Sequence, residues 1–147
     1  MGVVALNYRI GHYGIGLALA ASIAVPSMAA APPSVAGRWK TDDGKAIIAM
    51  MPCGTKMCGR VERLLIKEPV GGQLDERNPD KAKRGRQVTG LQIYWDLVPT
   101  DDGWKGPGYS PEDGRYYTAH IRVKGNRLTV KGCVAVFCKT VTWTRIA

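Results

Sequence analysis

The spacing of the turns limits the fold of this chain more than any other feature. From residue 37 onward, short runs of β-type residues recur between Gly-, Asn- and Asp-rich turn signals, and no stretch repeats its apolar residues at a helical period. The pattern predicts eight strands, at residues 37–41, 45–51, 57–65, 90–98, 103–109, 116–124, 127–133 and 140–146. Asp42-Asp43-Gly44, Asp101-Asp102-Gly103 and Lys124-Gly125-Asn126 place residues that tolerate positive φ where tight hairpins need them, so consecutive strands should form an antiparallel meander.

Alternation sets which faces are buried. Ala119, Ile121 and Val123 oppose His120, Arg122 and Lys124, and Leu91, Ile93, Trp95 and Leu97 oppose Gln92, Tyr94 and Asp96. Trp95, Met50 and Met51 are expected to fill the core, methionine because it adapts to irregular gaps. Eight half-buried strands leave two raw edges unless the sheet closes, and closure at this number leaves room for side chains or one small ligand. The expected fold is all-β, an eight-stranded antiparallel up-and-down barrel, with a two-sheet sandwich as the alternative.

The N-terminal segment reads differently. Residues 1–31 hold no acidic residue and one cation, Arg9, followed by an apolar run from Tyr13 to Val25 broken only by Ser22, then Pro26, Ser27, Met28 and three alanines. Those regions, in that order, are expected of a secretory signal peptide cleaved after Ala29, leaving residues 30–147 as a single β-barrel domain in the periplasm or otherwise exported. At about 13 residues the run is short of the roughly 20 needed to span a bilayer. Loss of Arg9 takes the formal net charge from +9 to +8, a balance that favours anionic neighbours such as lipid head groups or acidic glycans.

The four cysteines, Cys53, Cys58, Cys133 and Cys138, fall into two pairs with equal gaps. In an oxidising compartment an even count predicts two disulfides, whereas zinc is the competing use of four thiolates. A bridge joining the two pairs would contribute about 4.5 kcal/mol through loop closure against about 2 for a local one. Facing positions beside hairpin turns nevertheless meet the distance a bridge needs, so Cys53–Cys58 and Cys133–Cys138 are expected. Val134-Ala135-Val136-Phe137, an apolar turn inside the second pair, is expected to fold over the open barrel end as a plug; exposed, it would touch a membrane or a protein.

A long irregular stretch at about 66–88 interrupts the meander, and loops of this length in compact domains are often functional. It carries the basic loop Lys81, Lys83, Arg84 and Arg86.

Several motifs occur together in order: Gly37-Arg38-Trp39, Cys58-Gly59-Arg60, Asp75 with Asn78-Pro79, Arg86 before Gly90-Leu91, Tyr109-Ser110-Pro111 with Gly114 and Tyr117, and Trp143-Thr144-Arg145. This set resembles the family called domain of unknown function 2147. The resemblance implies a small exported lipocalin-like barrel. The Gly-x-Trp opening and late Arg are also similar to lipocalins, which implies that Gly37, Trp39 and Arg145 close the barrel, with the guanidinium over the indole.

The resemblance and the residue types together mark Arg60, Asp75, Asn78, Trp104, Tyr109 and Tyr117 as candidates for the rim of a ligand pocket. The leading reading is a binding protein for a small apolar or amphipathic molecule. The alternative is an envelope protein that docks on an anionic component through the basic loop, with the barrel as a packed scaffold. Nucleic acid is not an expected partner. Nor is catalysis expected. Beyond the leader the chain holds one histidine, His120, and two serines, Ser34 and Ser110, with no nucleophile elbow, phosphate loop or metalloprotease motif. No metal, cofactor or catalytic residue is therefore assigned.

Overall fold

In the computed structural model, which describes residues 31–147, the chain forms a closed barrel of eight antiparallel strands in sequential order. They are β1 (Gly37–Lys40), β2 (Ala46–Cys53), β3 (Lys56–Leu64), β4 (Gln92–Thr100), β5 (Gly103–Ser110), β6 (Arg115–Lys124), β7 (Arg127–Val134) and β8 (Phe137–Ile146). Strand β1 pairs with both β2 and β8, so the sheet has no free edge and the sandwich alternative is excluded. The expected leader, residues 1–29, lies outside the described residues.

The two barrel ends are built differently. At one end lie the tight β2–β3, β4–β5 and β6–β7 turns and the segment leading into β1. That segment crosses the opening: Trp39 Nε1 donates to the Val35 carbonyl at 2.9 Å, Trp104 Nε1 to Pro33 at 3.0 Å and Arg145 Nη1 to Ala36 at 2.8 Å. Trp39 and Arg145 face each other in register across the β1–β8 seam, with the guanidinium carbon 4.1 Å from the ring centroid. Such a contact contributes roughly 0.5–2 kcal/mol. Gly37 makes it possible. Its φ of +129° suits glycine, and a Cβ there would collide with the Arg145 guanidinium.

Beneath this seal the interior is filled. Trp39, Met57, Leu97, Ala119, Ile121 and Leu128 are all buried in one cluster that occupies this half of the barrel. The local disulfides are present, Cys53–Cys58 and Cys133–Cys138, with Cα separations of 5.8 and 4.1 Å, and no cysteine among the described residues is free to bind zinc. Both lie beside two-residue turns, and the flanking strands run one to three residues further toward those turns than the sequence pattern suggested.

Strand β4 departs from the expected alternation. Its pairing with β3 shifts at two places, around Ile93 and around Trp95–Asp96, where Asp96 takes a φ of +48°. Each extra residue reverses the faces beyond it. Ile93, Tyr94 and Leu97 all end in the core, while Trp95 turns outward beside Tyr116, with ring centroids 6.3 Å apart. Trp95 is thus no core filler. Neither is Met51, which alternates outward from buried Met50.

Candidate functional site

The other half of the barrel is hollow. A cavity of about 910 Å³ opens at the end carrying the β1–β2, β3–β4, β5–β6 and β7–β8 connections. Its depth is apolar, lined by Ile48, Val61, Ile93, Val130, Val141 and Trp143. Its size is within the range that accommodates a small organic ligand.

Two tyrosines shape its floor. Strands β4 and β8 stand opposite each other in the ring, and the Tyr94 ring reaches across to within 6.1 Å of the Trp143 ring. The Tyr94 and Tyr117 rings meet edge to face, and their hydroxyls are hydrogen-bonded at 2.9 Å. The wall gives way to hold them. On five successive strands Gly59, Tyr94, Gly108, Tyr117 and Gly132 alternate, and a Cβ on any of the three glycines would lie 2.5–2.9 Å from Met50 or a tyrosine ring. Glycine inside a strand commonly marks such a close approach.

Burial pushes both phenols above their ordinary pKa, Tyr94 strongly, so both are neutral donors at physiological pH. Two hydroxyls that bond to each other use one proton and leave the second O–H free to meet an acceptor.

The mouth is polar. Lys45 bridges Asp43 at 3.4 Å and Glu112 at 2.6 Å, tying the β1–β2 turn to the β5–β6 turn. Arg77 Nη1 donates to the Glu112 carbonyl at 2.6 Å. Arg115 and Lys139 also line the mouth and form none of the ion pairs found among the described residues.

The sequence-derived rim residues separate into three places. Tyr117 is at the cavity, as just described. Asp75, Asn78 and Tyr109 come together on the outer side of the wall, where Tyr109 alternates with inward Gly108 and the long loop covers it, although Tyr109 also borders the cavity. Both Asp75 and Asn78 are fully buried there. The Tyr109 hydroxyl donates to Asp75 Oδ1 at 2.5 Å, while Asn78 Nδ2 and Arg86 Nη2 each donate to Asp75 Oδ2 at 2.8 Å. Burial and the adjacent carboxylate push the Tyr109 phenol well up. These contacts anchor the loop between β3 and β4 to the barrel, since a buried carboxylate is tolerated only when its oxygens are satisfied.

Arg60 and Trp104 are not at the mouth at all. Arg60 is exposed on the outer face of mid-β3, and Trp104 sits at the sealed end against Pro33. The basic loop is mostly committed internally: Lys83 pairs with Asp80 at 3.2 Å, Arg86 with Asp75, and Arg84 Nε donates to the Asn78 carbonyl at 2.8 Å. The Val134–Phe137 turn is not a plug. It stands up at the rim with Val136 86% and Phe137 80% exposed, because the Cys133–Cys138 bridge holds its base on the outer face.

Nothing in the sequence pattern marks Tyr94, Trp143 or the three wall glycines as lining a site, beyond the presence of glycine within otherwise regular strands.

The chain belongs to the family described as "Uncharacterized protein conserved in bacteria (DUF2147)", whose model matches residues 37–145. No curated protein matches it. Among solved structures, it is similar to protein HP1028 of Helicobacter pylori, described as belonging to the lipocalin family, at 20% identity and a TM-score of 0.67. The match covers 78% of this chain and 84% of that one. That likeness shows the fold: a lipocalin-like barrel, an architecture suited to holding one small ligand.

Proposed function

We propose that this is an exported, periplasmic binding protein, not an enzyme, that carries one small apolar or amphipathic molecule in the open half of its barrel. One observation carries the reading: the cavity of about 910 Å³ combines an apolar depth with a neutral phenol pair. A ligand would lay hydrocarbon against Ile48, Val61, Val130 and Val141 and turn an acceptor atom, such as a carbonyl or ether oxygen, toward the spare tyrosine O–H. Two disulfides are compatible with export, and the expected leader points the same way.

The test is native mass spectrometry of the protein purified from its own envelope fraction, compared with the denatured spectrum. An excess mass that leaves on denaturation is expected. Val141→Trp, which narrows the apolar depth of the cavity, should weaken both retention of that mass and the uptake of an apolar naphthylamine probe. Absence of both the mass and the probe signal in the unaltered protein would rule the reading out. Tyr94→Phe with Tyr117→Phe should weaken an acceptor-bearing ligand about fivefold, the effect of one hydrogen bond, while leaving a pure hydrocarbon unaffected.

A further inference from the structure

The large apolar side chains exposed among the described residues are not scattered. Apart from Val98 and Tyr116, they sit on two segments at the cavity end: Leu65, Ile66 and Val70 after β3, and Val134, Val136 and Phe137 at the β7–β8 tip. The tip is the sharper feature. Its two-residue turn holds Ala135 at a φ of +50°, and the Cys133–Cys138 bridge closes its base, so the apolar residues are presented on a short, stiff wedge. A wedge held in shape loses little freedom when it is buried.

Two cations lie near it. Lys139 is two residues from Phe137 on β8, and Arg115 lies at the mouth end of neighbouring β6. On the outer faces of β5, β6 and β7, Lys105, His120 and Lys131 are direct register partners. Lys105 and Lys131 thus flank His120 on this outer surface, with Lys131 three residues before Val134 on β7. Lys105, Arg115, Lys131 and Lys139 form no ion pair among the described residues. The adjoining β5–β6 turn carries two carboxylates, Glu112, which Lys45 engages, and Asp113, which accepts from Ser110.

We propose that the cavity end of the barrel docks on an anionic lipid bilayer, with Val136 and Phe137 in the boundary between head groups and acyl chains and with Lys139, Arg115 and Lys131 against lipid phosphates. A four-residue tip is far smaller than the roughly 800 Å² per partner of a stable protein interface. A bilayer accepts an isolated apolar point, and each cation near an anionic surface strengthens binding about fivefold. The geometry turns the cavity mouth toward the membrane, but the docking holds whatever the cavity contains. The basic loop at residues 81–86 is not the contact, because most of its charges are already engaged.

Flotation with phosphatidylglycerol-containing vesicles and with pure phosphatidylcholine vesicles tests this, at low and high salt. Binding to the anionic vesicles should be on the order of a hundredfold stronger, and high salt should remove most of it. Val136→Asp with Phe137→Asp should reduce binding to background, and Lys131→Glu should weaken it severalfold, with probe uptake by the cavity retained in the Lys131 variant. Phe137→Trp should show a blue-shifted emission on anionic vesicles. Equal binding to both vesicle types, or undiminished binding by the double Asp variant, overturns the proposal. So does a concentration-dependent dimer that the same variant abolishes without any vesicle binding, which would assign the tip to a second copy of the chain.

Discussion

The two halves of one barrel have opposite constructions. At the sealed end, Trp39, Leu97, Ile121 and Leu128 occupy the interior, and three side-chain hydrogen bonds fasten the segment before β1 across the opening. At the other end three staves carry glycine beside Tyr94 and Tyr117, and the connections stand around a void. Stability and binding are thereby assigned to different residues of the same sheet. A change at one end should act on folding, and one at the other on occupancy.

The largest effect should come from Trp39→Ala, which opens a cavity in the filled half and removes the partner of Arg145; a loss of about 3–5 kcal/mol in urea unfolding is expected. Asp75→Ala should cost less, about 2–3 kcal/mol, because it strands the Tyr109 hydroxyl and the Arg86 guanidinium. Limited proteolysis should then cut the 65–91 segment while the barrel persists, and a barrel that unfolded as a whole would erase the distinction between wall and loop.

Alkaline pH separates the halves another way. Burial raises the Tyr94 pKa well above the ordinary value of about 10, and Tyr117 is also raised. A raised folded-state pKa means that the neutral phenols stabilise the fold fully below about pH 10 and that this contribution is lost as pH climbs through the raised values. Phenolate absorbance from Tyr94 and Tyr117 should therefore emerge together with unfolding, as read by near-ultraviolet circular dichroism. The smallest stability change belongs to Val141→Trp, under about 1 kcal/mol because the indole enters open space, yet it should weaken ligand uptake. A large destabilisation there would mean that the two halves share one packed core.

Much of the architecture could be read in advance because turns and alternation are local. Asp42-Asp43-Gly44, Asp101-Asp102-Gly103 and Lys124-Gly125-Asn126 delimit hairpins without reference to the rest of the chain, and the short cysteine spacing matched bridges beside turns. The Trp39–Arg145 contact was implied by the resemblance to lipocalins, and closure produces it by bringing the first and last strands together. The site was less accessible. Asp75, Asn78 and Tyr109 do form a cluster, yet it lies outside the wall, and nothing local to those residues tells which side of a strand a distant loop will cover.

Strand β4 marks the boundary between the two kinds of information. Simple alternation placed Trp95 inside and Tyr94 outside, and two register shifts against β3 and β5 reversed that choice. A shift in pairing depends on the partner strand, so a period of two read along β4 alone cannot reveal it. The sequence by itself determined the strand count, the hairpin turns, the charge and the cysteine pairs, all of which depend on near neighbours. Only the tertiary structure decided that Tyr94 and Tyr117 meet across glycine-lined staves to floor a cavity, because that contact joins residues 23 apart on strands separated by β5.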